Sequence, residues 1–153
     1  MSNGILVHIG IGVSDIERAE HFYTDVFGCV RDRELRMTAD KLGILQLQPE
    51  SDIHAVYLML GSQTLELMAF DPPNEKTAGA RVFNQTGLVH LSIAVDNVAT
   101  TCSRAAAAGG TVISRGERSA IIRDPDGQLI ELVTGVVNDE IEQGRAARAA
   151  AKG

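Results

Sequence analysis

The sequence predicts an α+β fold made of two β-α-β-β-β modules, and three observations support this. A strand-like stretch with one central histidine occurs twice, as LVHIGIGVSD at residues 6–15 and LVHLSIAVDN at residues 88–97. Each copy precedes a segment with helical periodicity. Each helical segment precedes three strand-like segments rich in β-branched and aromatic residues. The chain is therefore predicted to contain the same module twice.

Length and composition indicate an ordinary globular domain that is expected in the cytoplasm. The chain has 153 residues, of which 44% are apolar, enough to bury a core. No run approaches the ~20 apolar residues of a membrane helix, and no signal-peptide pattern occurs, so we expect no membrane partner. The net charge of −6 argues against nucleic acid as a partner. Cys29 and Cys102 are expected to be free thiols.

The first module begins with a strand that has one apolar face. That face comprises Val7, Ile9, Ile11 and Val13. The helical periodicity of IERAEHFYTDVFG predicts a helix, for which Ser14 and Glu17 form a capping box and Gly28 is the C-terminal stop. Three further strands are expected in CVRDREL, DIHAVYLMLG and QTLELMAF.

The second module repeats this order of elements. The apolar face of its first strand comprises Val89, Leu91, Ile93 and Val95. VATTCSRAAAAGG predicts a helix that ends at Gly109, and TVISRGE, SAIIRDP and QLIELVTG predict strands. DPDG is a strong tight-turn signal. Arg123 beside it is expected either to contact an anionic group of a substrate or to stabilise the turn through a salt bridge.

Composition sets the expected boundaries within a single domain of residues 1–153. The first module covers about residues 5–70 and the second about 88–135. A linker with two prolines and scattered glycines covers 71–87. The remaining residues, 136–153, form a tail rich in alanine and charge to which no chemistry is assigned.

Four of the predicted strands place one ionisable side chain opposite their apolar face. These residues are His8, Glu66, His90 and Glu131. Burying two carboxylates near one another is costly without a compensating cation. Two imidazole nitrogens and two carboxylate oxygens suit divalent Zn, Co, Ni, Mn or Fe. The sequence therefore predicts a divalent metal site, and an octahedral ion would keep two positions open.

At these residues the chain resembles the vicinal-oxygen-chelate superfamily, which includes glyoxalase I, methylmalonyl-CoA epimerase, extradiol dioxygenases and fosfomycin-resistance proteins. VHIGIGVSDIERAEHFYTDVFG, TLELMAF, LVHLSIAVDN and RDPDGQLIELV carry the resemblance, which covers about residues 5–135. It implies a cupped mixed sheet around the metal, with the ligand positions on His8, Glu66, His90 and Glu131. It also implies a homodimer and a small-molecule substrate with vicinal oxygens or a thioester.

Three functions remain open within this resemblance. The first is an isomerase or epimerase, in which the metal polarises a carbonyl and a carboxylate removes the neighbouring proton to give an enediolate. Glu50 is one candidate base, and Glu131 or Glu66 could instead leave the metal and act as base. The second is a glyoxalase I-like lyase acting on a hemithioacetal. The third is a non-catalytic small-molecule binding or resistance protein.

Individual positions separate these alternatives. Glyoxalase I has an arginine for glutathione where Gly12 stands and an asparagine where Phe70 stands. ESDIHAVYLMLGSQTLEL resembles the stretch of the epimerase that holds its catalytic base. His54 is a weaker candidate acid, expected to be an exposed strand residue, and His21 is expected to face solvent.

Overall fold

The computed structural model describes residues 4–38, 45, 51–73 and 81–135, together with 139, 142–144, 146 and 150 near the C-terminus. The chain divides into two compact units, Met1–Gly79 and Ala80–Gly153. In the part of the chain that the structure describes, each unit contains a four-stranded mixed sheet and a helix in the order β-α-β-β-β. The described residues 139, 142–144, 146 and 150 of the predicted tail are also helical. The predicted α+β class and the paired modules are confirmed.

The first unit has the sheet order β1-β4-β3-β2. Its elements are β1 (Ile9–Gly12), α1 (Ile16–Phe27), β2 (Val30–Thr38), β3 (Asp52–Leu60) and β4 (Gln63–Asp71). β1 is parallel to β4, and the other neighbours are antiparallel. β3 and β4 form a hairpin in which Leu60 pairs with Gln63, so two residues, Gly61 and Ser62, make the turn.

The second unit has the equivalent order β5-β8-β7-β6. Its elements are β5 (His90–Val95), α2 (Val98–Ala107), β6 (Thr111–Arg115), β7 (Ser119–Arg123) and β8 (Leu129–Thr134). β5 is parallel to β8, and the other neighbours are again antiparallel. In the first sheet, β4 with Glu66 therefore lies beside β1, which follows His8. In the second sheet, β8 with Glu131 lies beside β5, which begins with His90.

Helix α1 begins one residue later than its predicted capping box. Asp15 is the N-cap, and its Oδ1 accepts from the backbone N–H of Arg18 at 3.0 Å. Ser14 Oγ instead accepts from the Arg18 guanidinium at 2.7 Å, so the expected Ser14–Glu17 box is wrong. Gly28 ends the helix as expected, because its φ of 71° lies in the left-handed region that glycine adopts at low cost.

The core of the first unit lies between α1 and strands β3 and β4. Phe22 and Tyr23 on the helix are fully buried, as are Val56, Leu58 and Leu67 on the strands. The opposite face of the sheet is not covered by the helix. Residue alternation along the strands therefore decides which side chains remain available for chemistry.

The first strand is shorter than its apolar pattern predicted. β1 begins at Ile9, and Val7 is 70% exposed, so Val7 does not belong to the buried face. Ile11 and Val13 are buried as expected. His8 directly precedes the strand.

In the second unit, Asn97 caps α2 and its Oδ1 accepts from the N–H of Thr100 at 2.8 Å. The DPDG turn closes through a hydrogen bond from Gly127 N–H to the Asp124 carbonyl at 3.0 Å. Arg123 donates to the carbonyl of Gly127 at 3.2 Å and to that of Arg81 at 2.8 Å. These contacts of Arg123 are hydrogen bonds to backbone carbonyls, and one of them supports the DPDG turn.

The structure bears on two expectations drawn from composition, the state of the cysteines and the membrane-spanning segments. Cys29 and Cys102 are both free and buried. Burial raises the pKa of Cys29 to about 11 and also raises that of Cys102. In the part of the chain that the structure describes, no helix is long and apolar enough to cross a membrane.

Candidate metal centre

The first candidate ligand pair is His8 and Glu66. Gly10 is the register partner of Glu66 across the parallel β1–β4 pair, and His8 lies two residues before Gly10, on the same face. This places Nε2 of His8 2.9 Å from Oε2 of Glu66. The His8 side chain is 39% exposed and that of Glu66 is 12% exposed. The carboxylate is thus largely buried, and the imidazole remains accessible.

The second candidate ligand pair is His90 and Glu131. Ser92 is the register partner of Glu131 across β5–β8, and His90 lies two residues before Ser92. Nε2 of His90 lies 3.6 Å from Oε2 of Glu131, and about a third of each side chain is exposed. The arrangement of the first unit therefore recurs in the second, with a looser contact between the two side chains.

The histidine of the second pair is not a hydrogen-bonded core residue. Its Nδ1 atom is buried and has no hydrogen-bond partner among the described residues. Its ring packs against Phe83, with ring centroids 5.0 Å apart. Buried polar side-chain atoms are normally paired, and leaving one unpaired costs about 1–3 kcal/mol. His90 therefore lacks the hydrogen bonds that a purely structural buried histidine is expected to make.

Tyr57 is a part of the site that the sequence reasoning missed. It lies on β3 directly opposite Glu66, and its hydroxyl donates a hydrogen bond to Oε1 of that carboxylate. Burial and this hydrogen bond raise the pKa of Tyr57, so the hydroxyl is protonated at neutral pH. Its ring meets His8 edge-on, and the Arg33 guanidinium carbon lies 3.9 Å from the ring centroid.

A model of the Glyoxalase/Bleomycin resistance protein/Dioxygenase superfamily matches residues 5–132 of the chain. The chain belongs to this superfamily. The match covers both units, including both histidines and both glutamates. The resemblance inferred from the sequence motifs is thus confirmed at the level of the superfamily.

Several known members of the superfamily are similar to this chain. A probable lactoylglutathione lyase from Vibrio parahaemolyticus is 29% identical over 87% of this chain and 92% of its own length. A glyoxalase family protein from Bacillus cereus has a TM-score of 0.73 at 18% identity, covering 88% of this chain and 97% of its own. The trypanothione-dependent glyoxalase I of Leishmania major has a TM-score of 0.68 at 22% identity, covering 97% and 99%. The structural similarities show the superfamily fold.

The donor atoms of both pairs lie close enough to be neighbouring ligands of one ion, and the 2.9 Å separation in the first pair is also that of an ordinary hydrogen bond. Two donors that each lie about 2.1 Å from an ion are about 3.0 Å apart at a right angle and about 3.4 Å apart at the tetrahedral angle. The observed separations are 2.9 Å and 3.6 Å. Among the described residues, no third His, Cys, Asp or Glu joins either pair. Each unit by itself thus offers one imidazole and one carboxylate, and these residues fit half of a divalent-metal site.

An apolar cavity adjoins the pair in the first unit. It has a volume of about 380 Å³, and His8, Tyr57 and Glu66 form its polar part. Its apolar lining comprises Leu35, Met37, Leu45, Ile53, Ala55 and Met68. Gly10 also lines it, and a Cβ there would lie 2.9 Å from Met68 Cε. Of the described residues, no lysine or arginine lines this cavity.

The other sequence candidates lie elsewhere. Glu50 is outside the described residues, so its role as a base stays a prediction. His54 is on the strand as expected, and its Nε2 lies 2.7 Å from Glu34 Oε1. Arg36 also donates to Glu34 Oε1, and this hydrogen bond is the largest factor lowering the pKa of Glu34. His21 faces solvent, with 67% of its side chain exposed and Asp25 as its ion-pair partner.

Proposed function

We propose that the chain is a divalent-metal-dependent lyase of the glyoxalase I type, which isomerises the hemithioacetal of a 2-oxoaldehyde and a thiol. The observation that carries the proposal is the His–Glu pair present at matching strand positions in both units. The similarity to proteins named lactoylglutathione lyase supports the choice of a hemithioacetal substrate. Membership of the superfamily is also compatible with an isomerase or epimerase, the first of the three functions that the sequence leaves open.

The proposed metal ligands are His8, Glu66, His90 and Glu131. The bound ion would supply Lewis-acid stabilisation of the negative charge that develops on the two vicinal oxygens of the substrate. Zn, Co, Ni, Mn and Fe all accept this mixture of nitrogen and oxygen donors. We further propose that the enzyme is a cytoplasmic homodimer, as the resemblance implies.

Glu131 is the proposed base. Among the described residues no hydrogen bond holds its carboxylate, and Nε2 of His90 lies 3.6 Å from its Oε2. Glu66, in contrast, contacts His8 through one oxygen and Tyr57 through the other. A carboxylate must change position to remove a proton and return it elsewhere, which a carboxylate held through both oxygens resists. Glu131 therefore suits proton transfer, and Glu66 suits a fixed ligand.

The proton balance of the proposed reaction closes without a further reactant. Glu131 removes the proton from the carbon that bears the hydroxyl and the sulfur. It returns this proton to the neighbouring carbon, which was the carbonyl carbon. The hydroxyl oxygen loses its proton, the former carbonyl oxygen gains one, and the product is the isomeric 2-hydroxy thioester.

A second candidate function is an epimerase that acts on an acyl thioester, and the cavity beside His8 favours it. Its apolar lining suits a hydrocarbon group of the substrate. Gly12 stands where glyoxalase I has its glutathione-binding arginine, so this position supplies no cation for the carboxylates of that thiol. Both candidate reactions use the same metal ligands and the same transfer of a proton next to a carbonyl.

The test compares Glu131→Gln with Glu66→Gln in protein reconstituted separately with Zn²⁺, Co²⁺, Ni²⁺ and Mn²⁺. Wild type and both variants are each incubated, in deuterated water, with methylglyoxal and glutathione, with methylglyoxal alone, and with a methyl-branched acyl thioester. We expect thioester formation only where both aldehyde and thiol are present. Both variants remove a proposed ligand and should weaken metal binding, so the rates are compared at saturating metal. Under that condition Glu131→Gln should still lower the rate by about 10²-fold or more, the scale of general-base loss, and Glu66→Gln should lose less.

Mass spectrometry of the recovered substrates separates the alternatives. Deuterium entering the acyl thioester without net conversion, and no reaction of the hemithioacetal, would replace the lyase by the epimerase. Failure of the wild-type protein to bind any of the four ions would overturn both. Metal binding without reaction or exchange on any substrate would leave the third alternative, a binding protein.

A further inference from the structure

The two units differ at both strand positions that pair with their glutamates. Gly10 and Tyr57 flank Glu66, and Ser92 and Ile121 flank Glu131, but among the described residues only Tyr57 makes a hydrogen bond to its glutamate. Tyr57 on β3 is the register partner of Glu66, and Ile121 on β7 is the register partner of Glu131. These are equivalent places in two sheets with the same strand order. A tyrosine hydroxyl can donate a hydrogen bond, and an isoleucine side chain cannot. The two carboxylates therefore have different surroundings although their strands are alike.

Contacts on three sides hold the Tyr57 side chain in place. The residue is 7% exposed, and its hydroxyl donates to Oε1 of Glu66. The ring of His8 meets it at an interplanar angle of 88°, with centroids 5.9 Å apart. The Arg33 guanidinium covers its other side and also contacts the Asp32 carboxylate at 3.3 Å. A ring packed in this way holds the hydroxyl at a fixed place relative to the carboxylate.

The two carboxylate oxygens of Glu66 have different partners. Oε1 accepts from the hydroxyl, and Oε2 lies 2.9 Å from Nε2 of His8. One oxygen is thus engaged within the protein, and the other lies beside the imidazole that would share its ion. Partners that orient a ligand in this way typically contribute 10–100-fold to metal affinity or activity.

We propose that Tyr57 is a positioning residue that keeps Glu66 a one-oxygen, immobile metal ligand, which leaves proton transfer to Glu131. This inference rests on the proposed function, because it assumes that Glu66 binds the metal. Tyr57 does not take the proton itself. It acts through Glu66. Ile121 faces Glu131 instead of a tyrosine, so the Glu131 carboxylate lacks this hydrogen bond and can move.

The test is Tyr57→Phe, which removes one hydroxyl and keeps the ring. The matched control is Tyr23→Phe, the same change at a buried tyrosine of α1. Metal-free wild type and both variants are titrated with Co²⁺ and Zn²⁺ by calorimetry, and the absorption spectrum of the Co²⁺ forms is recorded. We expect Tyr57→Phe to bind both ions roughly 10–100-fold more weakly. Its Co²⁺ spectrum should also change, because the freed carboxylate can bind through two oxygens.

Tyr23→Phe should bind both ions as the wild type does and keep the wild-type Co²⁺ spectrum. Thermal unfolding of the metal-free proteins shows whether either variant has lost stability by itself. Unchanged affinity and an unchanged spectrum in Tyr57→Phe would overturn the inference and leave the proposed function intact. A spectral change of equal size in both tyrosine variants would overturn it too. Absence of metal binding by the wild type would instead overturn the proposed function.

Discussion

Nε2 of His90 lies 3.6 Å from Oε2 of Glu131, which is too far for a hydrogen bond and close to the spacing of two ligands on one ion. In the first unit the corresponding atoms of His8 and Glu66 are 2.9 Å apart. The looser pair is also the one whose imidazole has a buried nitrogen that finds no hydrogen-bond partner in the described part of the chain. These two features make His90 the most informative ligand to remove.

His90→Ala is expected to lose the bound metal, because it removes a neutral nitrogen donor from the proposed ligand set. Elemental analysis of the purified protein measures this as moles of divalent ion per chain, with about one ion expected in the wild type. His21→Ala is the matched control, since His21 is exposed on α1 and its Nε2 lies 3.2 Å from Asp25 Oδ2. An undiminished metal content in His90→Ala would contradict the proposed ligand set.

Glu50→Gln distinguishes the two candidate bases. With Glu131 as the base, we expect the variant to keep its metal and to react within a few-fold of the wild-type rate. The measurement is the incorporation of solvent deuterium into the substrate, run beside Glu131→Gln. A loss of about 10²-fold in metal-replete Glu50→Gln, with Glu131→Gln still active, would transfer the role of base to Glu50.

Gly10→Ala is expected to narrow the apolar cavity of the first unit. A Cβ at Gly10 would lie 2.9 Å from Met68 Cε, and the flexible end of Met68 can move aside. The metal content should stay unchanged, and KM for substrates with a large apolar group should rise by roughly tenfold, the effect of one methyl group in an apolar pocket. Gly4→Ala is the control, because nothing lies within 4 Å of a Cβ at Gly4. An equal rise in KM for small and large substrates would contradict this use of the cavity.

The raised pKa of the buried Cys29 thiol predicts that the folded protein loses stability at alkaline pH. Burial raises its pKa from 9.0 to about 11, so the folded thiol stays neutral in a range where the unfolded thiol ionises. The unfolded state then binds fewer protons than the folded state, and the free energy of unfolding falls as the pH rises from 9.0 to about 11. Urea unfolding at neutral pH and near pH 10 measures this change.

Cys29→Ala should be less stable at neutral pH, since it loses buried volume, but its stability should fall less steeply with alkaline pH. An equal fall in wild type and Cys29→Ala would assign the pH dependence to other groups.

Periodicity predicted the elements in which a strand or helix buries one face. It does not account for the edge strands β2 and β6, in which no residue is buried. Apolar alternation located both modules and both His–Glu pairs. It failed at Val7, where apolar character continues beyond the start of β1, and at Ser14, where the neighbouring Asp15 competes for the same cap. The local sequence does not determine where β1 begins or which residue caps α1, because both depend on the path of the backbone that enters the strand or helix.

The role of Tyr57 was open to sequence reasoning but needed strand pairing as well as alternation. Gly61 and Ser62 form a two-residue turn, and counting outward from it along both strands places Tyr57 opposite Glu66. The hydrogen bond itself, and the Arg33 contact that supports the ring, depend on side-chain conformation. The spacing of His90 from Glu131 and its unpaired Nδ1 are likewise properties of packing.

The same register makes the site sensitive to the length of β4. Side chains alternate between the two faces of a strand, so one residue inserted between Gln63 and Glu66 would turn the glutamate to the opposite face, and Tyr57 would lose its partner. A residue added within the turn itself can be accommodated by a three-residue hairpin loop. Homologous chains are thus expected to vary at Ser62, which is exposed, and in the length of the turn, while keeping the number of residues from Gln63 to Glu66 constant.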